Sequence, residues 1–345
     1  MILYDPAQRR PMTDYGIQIP ILGSNADRTV EALLAQPDLA RSRKNWLIKE
    51  NLSPLKRDAL VRVHDPEYVD RLLSPPGGPD GPCEREIQRT FELVNEDGSY
   101  HRYDPESARY DLCTLRDQSL RLAAGTSYAA KLTLDHPDRF CFYLGGGMHH
   151  AQYAWGEGFC PVNDLVIAIR TLQAEERIQT AWVVDVDAHK GDGTAALTVD
   201  DDSIHTLSIH MADGWPLDQP QHLPDGTPNP CHLPSTVDIP IASGEEETYI
   251  DRLKAGMRTM EETSELPDFV IVVDGSDPYE RDQLKSTQLL KMSSAALLER
   301  DIFLYQWVRR HNIPAVFVMA GNYGYHSWEI YTQFLREQLS GRLEP

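Results

Sequence analysis

Six short runs along the chain are rich in apolar and β-favouring residues: residues 140–144, 180–186, 204–209, 237–241, 269–273 and 315–319. Several are apolar on both faces, which is how parallel strands covered on both sides read. Between and after them, residues 163–175, 246–263, 293–310 and 328–339 carry apolar side chains at spacings of three and four, the period of a helix that packs one face. Asn163, and either Ser293 or Ser294, stand where a helix start needs a side-chain acceptor. Strand and helix in alternation predict an α/β fold, a central and mostly parallel β-sheet with helices on both faces.

The pattern fails in two places. Ser74-Pro75-Pro76-Gly77-Gly78-Pro79-Asp80-Gly81 cannot be helix or central strand, and the polar residues 96–109 extend that irregular stretch. Residues 214–234 are similarly rich in proline, glycine and histidine. Residues 66–73 have helical character and the strong strands all come later, so too little precedes the break for a separate core. The expectation is one domain over 1–345 with surface excursions at about 74–109 and 214–234.

Composition narrows the partners. A formal charge of −20, from 33 basic and 53 acidic residues in 345, argues against a nucleic-acid footprint and against anionic membranes. Five cysteines, at 83, 113, 141, 160 and 231, form no Cys-x-x-Cys pair, which fits reduced thiols in a cytoplasmic protein. The N-terminus lacks a basic segment followed by an apolar core, and no run reaches the length of a membrane span.

Candidate chemistry collects just beyond the strands, where α/β sheets gather functional groups. After 140–144 comes Gly145-Gly146-Gly147-Met148-His149-His150-Ala151. After 180–186 comes Asp187-Ala188-His189-Lys190-Gly191-Asp192-Gly193-Thr194, with Asp185 just before. After 204–209 comes His210, after 269–273 comes Asp274-Gly275-Ser276-Asp277-Pro278, and after 315–319 comes Ala320-Gly321-Asn322-Tyr323-Gly324-Tyr325-His326. If strand geometry persists, Asp185, Asp187 and His189 share one side, and Lys190 faces outward. Carboxylate and imidazole together suit a divalent first-row metal, with Asp277 as a further ligand and positions left open for a reactant. Two further histidines supply acid-base groups, and a phenol can donate to a developing oxyanion. Such a set is equipped for metal-assisted amide hydrolysis.

The ordered stretches 146–151, Gly158-Phe159-Cys160-Pro161-Val162-Asn163-Asp164, 185–194 and Gly275-Ser276-Asp277 resemble the zinc-dependent histone deacetylase family, including bacterial acetoin-utilisation-like proteins and acetylpolyamine amidohydrolases. Ile19-Pro20 and Val63-His64-Asp65-Pro66-Glu67-Tyr68 fit the same pattern, so the similarity covers nearly the whole chain. It implies a single-domain arginase-deacetylase fold and one Zn2+ held by Asp187, His189 and Asp277. Asp185 then pairs with His149, and Asp192 with His150, instead of binding metal. The resemblance further implies His150 as general base, His149 in an electrostatic role and Tyr323 as oxyanion donor. Gly158, Phe159 and Trp215 become the tunnel that encloses an acylated amine or acetyl-lysine, and Ser208 with backbone oxygens near Asp185 and His189 becomes a structural K+ site.

Relatives usually carry a run of glycines before the tyrosine; this chain has Met319-Ala320-Gly321-Asn322-Tyr323, so Tyr323 and Tyr325 both stand as donor candidates. Two rivals remain beside the deacetylase. Asp187-Ala188-His189 also resembles arginase-like enzymes with two Mn2+, although the extra aspartates of such a site are missing. A metal-containing binding protein without catalysis is the other. Histone, other protein, polyamine and small metabolite all remain open as substrates, and long loops of this kind would serve a homo-oligomer as well as a tunnel.

Overall fold

A computed structural model describes residues 1–8, 10–78, 80–95 and 97–343. Eight strands form one sheet: β1 (Ile2–Tyr4), β2 (Leu47–Lys49), β3 (Phe140–Tyr143), β4 (Ala181–Asp185), β5 (Ile204–Met211), β6 (Val237–Ile241), β7 (Phe269–Asp274) and β8 (Ala315–Met319). Their order across the sheet is β2-β1-β3-β8-β7-β4-β5-β6, and all pairings are parallel. The six expected strands are all present with small shifts at their ends. β1 and β2 were not anticipated, because three residues are too few to show a period.

Alternation along the central strands sends side chains into two separate cores. Cys141, Tyr143, Val183, Ile271, Val273, Val316 and Val318 pack on one face against helices Leu112–Asp135 and Asp164–Ala174. Phe140, Phe142, Trp182, Val184, Val270, Val272 and Phe317 pack on the other against helices Ser24–Leu34, Tyr249–Thr263, Ser294–Arg310 and Ser327–Leu339. Phe317 lies between Phe140 and Phe334, at ring-centroid distances of 5.2 and 5.9 Å. Truncating such a residue to alanine costs about 3–5 kcal/mol.

The helix starts follow their caps. Asn163 accepts from the Val166 amide at 3.0 Å, and Ser293, not Ser294, accepts from the Ala296 amide at 3.2 Å. Helix Leu112–Asp135 escaped the reading although Asp111 caps it through the Thr114 amide at 2.7 Å.

The excursion at 74–109 is not merely superficial. It contains helix Pro82–Thr90, whose Cys83 and Ile87 are buried, followed by buried Phe91 and Leu93. Their spacing of four, four and two is an apolar stripe that surrounding polar residues disguise. Pro79 and Glu96, within the same expected stretch, lie outside the described residues. Residues 214–234 do form a loop, closed by a short turn at Pro230–His232 with Cys231 buried. All five cysteines are free and buried. Among the described residues no helix is long and apolar enough to cross a membrane.

Candidate active site

The carboxyl ends of β3, β4, β7 and β8 adjoin in the sheet, so the loops leaving them converge. β4 stops at Asp185, and the chain then curls: the Asp187 amide donates to Asp185 Oδ1 at 3.1 Å and the His189 amide to Asp187 Oδ1 at 3.0 Å. Strand alternation therefore does not extend to His189. This also corrects Lys190, which is buried, with Nζ 2.7 Å from the Leu233 carbonyl and 3.6 Å from Asp238.

Asp187, His189 and Asp277 are brought together, fully buried, with a ligand atom of each within 4.8 Å of the others. His189 Nδ1 lies 3.2 Å from Asp187 Oδ1 and 3.3 Å from Asp277 Oδ2, while Nε2 faces Ser286 Oγ at 3.1 Å. Bonds of about 2.0–2.2 Å in a tetrahedron hold neighbouring ligand atoms roughly 3.3 Å apart, so the spacing already fits a small divalent cation. Asp277 Oδ2 is buried with no contact better than that 3.3 Å approach of His189 Nδ1, a deficit a cation would fill. A Cβ on Gly321 would sit 2.5 Å from the carboxylate oxygens of both aspartates, so only glycine admits this approach. Burial and the charge of Asp187 push the Asp277 carboxyl up to about 6. Burial would lower His189, but hydrogen bonds and charge from Asp187 and Asp277 raise it to about 9. A second imidazole, His149, comes within 3.7 Å of Asp187 Oδ1 through its Nε2.

Facing them is the histidine pair. Asp164 holds the turn before it, accepting from the amides of Gly147 at 3.0 Å and Met148 at 2.7 Å and from the Thr126 hydroxyl. Asn163 Nδ2 donates to Thr194 Oγ1 at 3.0 Å, tying the 158–164 segment to the helix after the metal loop. His149 Nδ1 meets Asp185 Oδ2 at 2.6 Å, and His150 Nδ1 meets Asp192 Oδ1 at 2.6 Å, with the rings 3.9 Å apart. Each carboxylate fixes its ring so that Nε2 points away from it, toward the space in front of the triad. Burial opposes charge on His149, yet Asp185 and Asp187 hold it up at about 10; burial and the charges of His149 and His189 drive His150 well below its usual range. Gln152 Nε2 donates to the second Asp192 oxygen at 2.8 Å.

Trp215 stands edge-on to His150 and His189, at 4.4 and 5.5 Å between ring centroids. Phe159 lies 6.1 Å from Tyr323, and both line the same space as Trp215. Gly158, at φ 55, passes so close that a Cβ would meet Trp215 at 2.4 Å and His150 at 2.5 Å. Tyr323 is half-buried beside the metal group, its amide donating to Asp282 at 2.9 Å. Tyr325 is 58% exposed and stacks under Arg28, away from the site.

Several residues here carried no role in the sequence reading. Arg300, fully buried on helix Ser294–Arg310, donates from Nη1 to the carbonyls of Val186 at 3.0 Å and Gly275 at 2.8 Å. One guanidinium thus spans the two loops that supply Asp187 and Asp277. Its other nitrogens meet Asp274 at 2.6 Å and Asp301 at 2.8 Å. His64 explains the 63–68 motif: Nδ1 pairs with the Gln152 carbonyl and Nε2 accepts from the Asn163 amide, both at 2.9 Å.

Comparison with known proteins places this geometry. The sequence profile of the histone deacetylase domain matches residues 24–338. A protein of Picosynechococcus sp. is 29% identical over 76% of this chain and 75% of its own length. The acetoin utilization protein AcuC of Staphylococcus aureus is 25% identical over 79% of this chain, and histone deacetylase 2 of Arabidopsis thaliana 27% over 58%. The match spans 65% and 48% of those last two proteins. The crystal structure of acetylpolyamine aminohydrolase from Burkholderia pseudomallei superposes with a TM-score of 0.70 over 100% of this chain and 99% of that one, at 18% identity, and so shares the α/β arginase-deacetylase fold. With a profile matched along most of its length, the chain belongs to the histone deacetylase family.

Proposed function

We propose that this protein is a zinc-dependent deacetylase, one catalytic domain, that hydrolyses an acyl-amide such as an acetyl-lysine or an acetylated polyamine to acetate and free amine. The observation that carries the reading is the histidine pair. Two adjacent imidazoles, each backed by its own buried carboxylate at 2.6 Å, face the Asp187, His189 and Asp277 group across one space. When bound there, a divalent cation supplies Lewis-acid polarisation of an amide carbonyl and of water. His150, neutral and oriented by Asp192, takes the water proton at Nε2 and returns it to the departing amine. His149, kept charged by Asp185, stabilises negative charge growing beside it. The Tyr323 hydroxyl donates to the oxyanion. Phe159 and Trp215 flank an aliphatic stem over Gly158 and keep bulk water from it. A structural K+ at Ser208 and the carbonyls near Asp185 and His189, and a cytoplasmic location, belong to the same reading.

Among the described residues one group of three potential ligands stands in this way, which favours a single metal over an arginase-like pair. The zinc-loaded protein should release acetate from acetyl-lysine peptides or acetylpolyamines and hold one zinc per chain. Tyr323→Phe should lower kcat about 10²–10³-fold while Tyr325→Phe stays near wild type. Two tightly bound Mn2+ per chain would favour the arginase-like reading, and no turnover on any acyl-amine a binding protein; full activity in Tyr323→Phe with loss in Tyr325→Phe would move the donor to Tyr325.

A further inference from the structure

The space in front of the histidines is lined on its outer side by three ionisable residues, Glu92, Arg102 and Lys285. Two of the three are cationic, in a chain with 53 acidic and 33 basic residues. The mouth therefore reverses the charge balance of the molecule. Arg102 is half-buried, and among the described residues its guanidinium has neither a carboxylate at ion-pair distance nor a hydrogen-bond acceptor. Glu92 shares the rim without pairing with either cation.

The fold imposes this placement. Glu92, Arg102 and Phe159 have φ of 54, 50 and 65°, and they are three of the six non-glycine residues with positive φ among those described. A left-handed non-glycine residue is strained and persists only where its surroundings dictate it. They do: the His101 amide donates to the Leu93 carbonyl at 2.8 Å, the Gln18 amide to the Arg102 carbonyl at 2.8 Å, and the Phe159 amide to the Thr90 carbonyl at 3.0 Å.

We infer that this mouth selects acyl-amines whose far end bears a carboxylate and disfavours polycationic acylated polyamines. A guanidinium that no described residue pairs can take an incoming carboxylate as its partner, whereas an ammonium at the same place adds repulsion from Arg102 and Lys285. The charge of −20 does not reverse this, because exposed charges farther away than about 8 Å are screened at physiological salt. The inference names the substrate class of the deacetylase proposed above and rests on that reading.

Three amides with stems of equal length separate the charges: 6-acetamidohexanoate, 6-acetamidohexanamide and N-acetyl-1,6-diaminohexane, given to the zinc-loaded full chain. kcat/KM should fall in that order, about ten-fold from first to last, and the span should narrow as salt rises. Arg102→Met should bring the ratio of carboxylate to ammonium compound near one, Arg102→Lys should restore most of it, and Glu92→Gln should widen it. Each ratio is taken on one protein, so a change in overall folding cancels. Preference for the ammonium compound, or a ratio that Arg102→Met leaves unchanged, overturns the inference and leaves the deacetylase standing. Calorimetric titration with the same compounds covers the absence of turnover. Tighter binding of the carboxylate compound, lost in Arg102→Met, would then keep the selectivity and remove the deacetylase; equal binding without turnover would remove both.

Discussion

Asp274 and Asp301 are buried against Arg300, whereas Asp187 and Asp277, buried as deeply and fed in part by the same loop after β7, have imidazoles only: His189 beside both and His149 Nε2 3.7 Å from Asp187. The first cluster contains its own cation. Arg300 pairs with both carboxylates, and burial together with the neighbouring Asp301 drives the Asp274 carboxyl well above its usual range. Orphaned oxygens do not separate the two clusters, since Asp274 Oδ2 and Asp301 Oδ2 lack a hydrogen-bond partner just as Asp277 Oδ2 does; the difference is the guanidinium, which only the first cluster has. The same protein thus supplies a fixed charge where backbone must be clamped and withholds one where an exchangeable cation would sit.

The largest effect should come from removing the fixed charge. Arg300→Met leaves two buried carboxylates uncompensated and frees the carbonyls of Val186 and Gly275. Urea unfolding should show a loss of about 3–5 kcal/mol, and unchanged stability would mean that the cluster is not a clamp.

His64 provides a contrast with both clusters, being buried with neither cation nor carboxylate. Burial lowers its pKa from 6.5 to about 4 against the opposing pull of the Gln152 carbonyl. The unfolded chain therefore takes up the proton first. This contribution to stability is complete above pH 6.5, is lost as pH falls through the window down to about 4, and amounts to roughly 3 kcal/mol. Stability curves for wild type and His64→Gln should converge in slope only outside that window.

The Asp187, His189 and Asp277 group should respond to added zinc. Zinc at a hundredfold excess over Kd should stabilise the wild type by about 2.7 kcal/mol. In Asp277→Asn that increment should vanish. The smallest effect is the variant without metal: Asn retains an acceptor for the Ala188 amide and relieves repulsion from Asp187, so stability should stay within about 1 kcal/mol of wild type. A large loss there would make Asp277 a structural residue like Asp274.

What the sequence made legible follows the same division. The candidate site residues sit in or beside glycine-containing runs just past buried strands, where a polar side chain is conspicuous. His149, His150, Asp187, His189, Asp277 and Tyr323 were visible for that reason. Arg300 was not, because Glu299-Arg300-Asp301 on a helix reads as an exposed polar face, and only packing against the sheet reveals that two of the three are buried. Lys190 was misread for a related reason: alternation applies to strands, and the strand ends five residues earlier at Asp185. β1 and β2 gain their definition from neighbours in the sheet, which no local pattern contains. The choice between Tyr323 and Tyr325 turns on the geometry of one turn: Tyr325 is exposed, while Tyr323 lines the same space as Phe159 and Trp215.

The stack of Phe159 on Phe91, at 5.8 Å and an interplanar angle of 29°, attaches one tunnel wall to the segment after helix Pro82–Thr90, not to the sheet. On the proposed reading, this wall is supported by a segment that supplies none of Asp187, His189, Asp277, His149 and His150. Substitutions at 82–93 can reshape what the tunnel admits without disturbing a ligand, so a library confined to that segment is where a new substrate range would be sought first.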